Sequence, residues 1–235
     1  MADETTGTRY EWQGGYFAVW FEPKTNEIVW WGAEHPKGGT PYEERIEATF
    51  FIEHGLGSVD STPPLEVLSS LYREVATHLK LPAEHPGEEL CNAVSAGDLA
   101  AIGGLLDKGV KPDAANLFGK SPLECAFAAK QDAAALLLLE RGASQRGGSS
   151  LFRTACYRDA FQTATYLLQG GMSVDKNVVE FHWKMSLSKA PTEFLDELLK
   201  RGASVAKAGW ENVLVQKRLQ ADPTFAQWAA RVRSA

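Results

Sequence analysis

Four short segments in the second half of the chain repeat one another: Leu105-Leu106-Asp107-Lys108-Gly109, Leu138-Leu139-Glu140-Arg141-Gly142, Leu167-Leu168-Gln169-Gly170-Gly171 and Leu198-Leu199-Lys200-Arg201-Gly202. Their closing glycines are 33, 29 and 31 residues apart. Self-similarity at a period of this size is the mark of a repeat architecture, in which each unit buries its apolar face only against its neighbours. Every segment reads as a helix end. Paired leucines face a core, a polar turn follows, and the glycine takes the left-handed conformation that closes the helix.

Upstream of each closing turn a second, shorter helix is predicted. The copy Asn116-Leu117-Phe118-Gly119-Lys120-Ser121-Pro122-Leu123-Glu124-Cys125-Ala126 displays it best. Gly119 permits a tight turn, Ser121 can cap the helix, and Pro122 occupies the first helical position, where its missing N–H is harmless. With Gly142-Ala143, this copy resembles the ankyrin repeat: a glycine turn, Thr-Pro-Leu-His, an Ala-rich helix, a second helix ending Leu-Leu, then Gly-Ala. Ser121 replaces the threonine, Glu124 the histidine, and Lys130 stands where a glycine separates the two helices. The stretch Glu88–Ala115 keeps that glycine as Gly97. Later copies diverge. The link from Gly142 to the helix around Leu151–Cys156 is clipped, and Pro191 separates a helix near Val178–Ser188 from one at Thr192–Arg201, which Thr192 would cap. The first of these, with Phe181, Trp183, Met185 and Leu187, departs from the family pattern. A last pair, near Trp210–Leu219 and Pro223–Val232, is expected to close the array.

Before Glu88 the period becomes alternating. Tyr16–Phe21 and Glu27–Trp31 are rich in strand formers and are joined by Glu22-Pro23-Lys24-Thr25-Asn26, so they predict a β-hairpin. A third strand is expected at Arg45–Glu53 from apolar residues at Ile46, Ala48, Phe50 and Ile52. Ser61-Thr62-Pro63-Pro64 then opens a helix to about Leu81, with Leu65, Leu68, Leu71, Tyr72, Val75 and Leu79 in one stripe. The aromatic run is read as core, although Trp30-Trp31 could also serve a homodimer, so monomer and homodimer both stay open. The expected fold is thus an α+β N-terminal domain, residues 1–86, of antiparallel strands and a covering helix. An all-α ankyrin-repeat solenoid of four to five repeats, residues 87–235, follows it.

Charge separates the two parts. Residues 1–86 hold 14 acidic and six basic residues, whereas residues 87–235 hold 16 acidic and 18 basic ones. An acidic front half disfavours nucleic acid and anionic membrane and would attract a basic partner. No run of apolar residues reaches the roughly 18 needed to span a bilayer. The start Met1-Ala2-Asp3-Glu4 lacks the basic and apolar character of a secretory leader, so a cytoplasmic setting is expected. Cys91, Cys125 and Cys156 have no metal-knuckle spacing and read as reduced, buried small residues.

Catalytic chemistry finds few candidates. Glu34-His35, Glu53-His54 and Glu84-His85 each place a carboxylate beside an imidazole, but adjacent strand residues point to opposite faces. No phosphate loop, HExxH or nucleophile elbow occurs. No catalytic residue, cofactor or metal is therefore assigned. The resemblance implies that partners meet the turn tips and the outward side of the short helices. That places Leu117, Phe118 and Lys120 at a turn tip. On the short helices it places Ser95 and Ala96, Ala128 and Ala129, Tyr157 and Arg158, and Ser188 and Lys189. Tyr157, Arg158 and Phe118 are the residue types that dominate binding energy. The expected function is a non-catalytic protein-binding module, in the form of a bacterial immunity or antitoxin-type protein that neutralises a basic, nuclease-like toxin. An ankyrin adaptor or host-directed effector, and an enzyme with its site in residues 1–86, are the alternatives.

Overall fold

The computed structural model describes residues 8–12, 15–32, 42–55, 63–145, 148–207 and 209–234. His35, Ser61 and Thr62 lie outside them. The chain divides into two compact units, Met1–Cys125 and Ala126–Ala235, so the first unit holds residues on both sides of position 86.

In the first unit, β1 (Thr8–Trp12), β2 (Gly15–Glu22), β3 (Glu27–Gly32) and β4 (Tyr42–Glu47) form one sheet in the order β1-β2-β3-β4, every pairing antiparallel. The predicted hairpin is β2–β3, with Val19 opposite Trp30 and Phe21 opposite Ile28. Alternation puts Phe17, Val19, Phe21, Ile28 and Trp30 on one face, all buried,. Against it lie Leu68, Leu71, Tyr72, Val75 and Ala76 of α2 (Leu65–Leu79), the expected covering helix, although Leu65 itself is 41% exposed. Burying each large side chain of this set stabilises the fold by about 1.5–3 kcal/mol.

The third expected strand needs correction. It ends at Glu47, and Ala48–His54 is a helix, α1. The alternation Ile46, Ala48, Phe50, Ile52 mimicked a strand, but Ala48 and Phe51 are the fully buried pair, three apart as a helix requires, and Phe50 is 48% exposed,. The Ala48 N–H donates to the Asn26 carbonyl (3.0 Å), which ties the start of α1 to the hairpin turn.

Two helices follow, α3 (Pro86–Ala96) and α4 (Leu99–Asp107), packed against each other. His85 caps α3: its Nδ1 accepts from the Glu88 N–H (3.1 Å) while Nε2 meets the Ile52 carbonyl (3.0 Å). The turn expected at 116–120 is present. Asn116 Oδ1 accepts from the N–H groups of Phe118 and Lys120, and the Glu88 carboxylate accepts from the Leu117 N–H (3.2 Å). That turn is clamped by glycine. A Cβ at Gly55, where φ is +67°, would lie 2.4 Å from the Gly119 nitrogen, and one at Gly87 would lie 2.0 Å from the Ala115 oxygen. Helix α5 (Pro122–Ala128) opens with a reciprocal box in which Ser121 Oγ accepts from the Glu124 N–H and Glu124 Oε2 accepts from the Ser121 N–H,. Glu124 thus holds the start of α5.

The second unit is helical: α6 (Asp132–Glu140), α7 (Ser149–Tyr157), α8 (Phe161–Gln169), α9 (Lys176–Ser186), α10 (Thr192–Lys200), a 3-10 turn at Val205–Lys207, α11 (Val213–Ala221) and α12 (Pro223–Ser234). Helix α8 packs between α6 and α10, and α7 packs on α9, giving two rows joined by α7–α8 and α9–α10 contacts. The paired leucines face this core: Leu138, Leu139, Leu167, Leu168 and Leu198 are buried. The predicted helix-closing glycines behave alike along the chain, with φ of +93°, +91°, +86° and +88° at Gly109, Gly142, Gly171 and Gly202. Lys130, between α5 and α6, also has a positive φ, +58°. Thr192, by contrast, is the first residue of α10 rather than its cap; Pro191 precedes it and no side chain caps this helix.

Polar links within the unit span one period. The Asp132 carboxylate accepts from the N–H groups of Gln162 and Thr163 (2.9 and 3.0 Å), capping α8, which begins at Phe161 after Ala160 and has no side-chain cap of its own. The Arg201 guanidinium donates to the carbonyls of Leu168 and Met172 at the end of α8. Arg218 donates to the Leu187 carbonyl, and Trp228 Nε1 to Asp196. These links join residues 29 to 33 positions apart. Trp183, Trp210 and Trp228 lie within 6.5 Å of one another, so the last helices share an aromatic core with α9. Among the described residues no helix is long and apolar enough to cross a membrane.

Candidate protein-binding surface

Helices α7 and α9 each bury one apolar face and carry large apolar or aromatic side chains outside it. On α7, Phe152, Ala155 and Cys156 are buried while Tyr157 is 59% exposed. On α9, Val179, Trp183 and Leu187 are buried, whereas Phe181 and Met185, four apart and so on one side, are 44% and 55% exposed,. Packing of α7 on α9 brings the exposed members together, with the Tyr157 and Phe181 rings 6.2 Å apart.

A buried histidine underlies them. The His182 ring stands edge-on to Phe152, Tyr157 and Phe181 at 5.5, 5.5 and 5.1 Å. Burial, and then the nearby Arg153 guanidinium, lower its pKa below the ordinary 6.5, so it is neutral at pH 7,. A neutral ring can serve as an apolar floor for the exposed aromatics.

The remaining residues named from the sequence fall in several environments. Arg158 ends α7 and is exposed; Ser188 is half-buried. Lys189 is exposed and ion-paired with Asp159, its ammonium 6.0 Å from the Phe161 ring centre. Ala128 is exposed and Ala129 half-buried, while Ser95, Ala96 and Lys120 are exposed. Leu117 needs correction. It is 2% exposed and belongs to the core of the first unit, and Phe118 packs partly against the same core. The turn is pulled inward by the Gly55 and Gly87 contacts, so its apolar side chains are packing groups. Phe181 and Met185 were not expected at the surface. Their signal was two interleaved pairs four residues apart, Phe181 with Met185 and Trp183 with Leu187, where a half-buried helix needs only one.

A second concavity lies in the first unit, an open groove of about 620 Å³ whose walls include Ile52, His54, Pro82, Pro86, Val110 and Ala115. His85 also lines it, but both its ring nitrogens are engaged. Burial lowers its pKa, and the neutral tautomer carrying the proton on Nε2 satisfies both bonds,. His54 lies against Phe50 on α1, the rings tilted by 59° with centres 4.5 Å apart. All three cysteines are buried and unpaired; the Cys91 pKa is raised by its hydrogen bond with Cys125 and by burial, and that of Cys156 by burial. Cys91 and Cys156, buried and held protonated, are poor nucleophiles, whereas the hydrogen bond from Cys91 lowers the Cys125 pKa,. No known protein-family model and no curated protein matches the chain.

Proposed function

We propose that residues 88–235 form an ankyrin-type stack and that the chain is a non-catalytic protein-binding module, whose partner meets the exposed side of α7 and α9. The observation that carries this reading is the contiguous exposure of Tyr157, Phe181 and Met185 over a buried aromatic floor. Large side chains held rigidly at a surface lose little entropy when a partner covers them, and aromatic residues are enriched at binding hot spots. The stack itself is supported by the polar links one period apart and by the repeated positive φ of the closing glycines.

Within this reading, an immunity or antitoxin-type inhibitor is the form we favour. The unit ending at Cys125 contains 20 acidic and nine basic residues, a field suited to a basic toxin surface,. The test is recovery of the tagged chain from its native cells with quantitative mass spectrometry, beside a Tyr157→Ala/Phe181→Ala/Met185→Ala variant. One dominant toxin-like protein that the variant loses supports the proposal. Partners retained equally by the variant would remove the α7–α9 face from it, and recovery of none would remove the inhibitor reading.

A further inference from the structure

The charge around Tyr157, Phe181 and Met185 is opposite to that of the first unit. Residues 126–235 hold 15 basic and 10 acidic residues. Arg153 lies one helical turn before Tyr157, and Lys184 adjoins Met185; both are exposed and neither forms an ion pair among the described residues. None of the nearby acids forms an ion pair with Arg153 or Lys184 among the described residues. Glu180 Oε1 accepts from the Ser204 N–H (2.8 Å), Asp175 caps α9 through the Asn177 N–H (2.7 Å), and Asp159 is bound to Lys189. Helix α7 contains no acidic residue at all. What the face presents is apolar side chains edged by two exposed cations that form no ion pair among the described residues.

We infer that this face takes an acidic protein segment carrying apolar side chains, so that the part of the partner seen by the stack is negatively charged. The inference rests on the proposed function and specifies its partner. A basic surface would be repelled by Arg153 and Lys184. The apolar side chains supply the affinity and the cations supply register and on-rate. Arg153 adds preference for carboxylates, which its planar fork binds in pairs.

The experiment selects peptides from a random displayed library on the immobilised full chain and measures the enriched sequences by fluorescence polarisation. Three proteins are compared: the wild type, Tyr157→Ala/Phe181→Ala/Met185→Ala, and Arg153→Glu/Lys184→Glu. All five side chains are exposed, so both variants are expected to keep the wild-type circular dichroism. Enriched peptides should be acidic and contain apolar residues. Their affinity should fall about tenfold or more in the alanine variant and about tenfold in the charge-reversal variant, and should weaken with added salt. Neutral or basic peptides that nonetheless depend on Tyr157, Phe181 and Met185 would overturn the inference while leaving the protein-binding reading intact. Absence of any peptide sensitive to the alanine variant would overturn both.

Discussion

The two units hold their helix ends by different means. In the first, beside the Glu88 link to the Leu117 N–H, backbone meets backbone: Gly55 and Gly87 allow the 114–119 segment to approach within a distance no side chain permits, and a neutral histidine bridges α1 and α3. In the second, charged side chains reach across one repeat to neighbouring helix termini, as Asp132 does to α8 and Arg201 to its far end. The first arrangement buries its turn and leaves no apolar tip. The second needs only the helix ends, so the sides of α7 and α9 stay free to carry Tyr157, Phe181 and Met185.

Glycine substitution should break this contrast most sharply. Gly55→Ala combines a severe contact with a backbone conformation that side chains rarely adopt, and is expected to cost about 4 kcal/mol in urea unfolding,. Gly171→Ala also has positive φ but faces open space, so about 1 kcal/mol is expected,. Equal losses at the two positions would refute the backbone-contact account of the first unit. Next, Asp132→Ala strips the α8 N-terminus of its cap and should lower stability by about 1–2 kcal/mol,.

The histidine bridge predicts a pH dependence. His85 has a folded pKa below its ordinary 6.5, so in that interval the unfolded chain binds more protons,. Stability therefore rises with pH through the interval and is lost as pH falls below about 6.5 toward the folded value. His182 acts in the same sense. Urea midpoints at about pH 7.5 and 5.5 should differ less in His85→Gln than in the wild type, since the substitution removes one of the two titrating groups. The smallest effect is expected at Lys189→Ala, which opens an exposed ion pair with Asp159: about 0.5 kcal/mol or less, and less still in high salt,.

Much of this organisation was legible in the chain. The spacing of Gly109, Gly142, Gly171 and Gly202 located four helix ends because only a left-handed closing residue repeats so strictly,. The hairpin and α2 followed from periods of two and of three to four. Other features were not readable locally. Strand and helix patterns coincide over Ala48–Ile52, and only the burial of Ala48 with Phe51 separates them. The burial of Leu117 depends on Gly55, 62 positions earlier in the chain, which no local pattern reports. Tyr157 was named from the ankyrin resemblance, as a residue on the outward side of a short helix, and it is exposed. Phe181 and Met185 were hidden by the stronger apolar pair beside them.

The central claim is that the exposed side of α7 and α9 is where another protein sits. A photocrosslinking residue, p-benzoylphenylalanine, placed at Tyr157 in the full chain within its native cells tests it most directly, with the same residue at the exposed Gln169 of α8 as the control. The account predicts one discrete crosslinked protein from position 157 and none from position 169. Crosslinking of equal strength and identity at both positions, or none at 157, would contradict it.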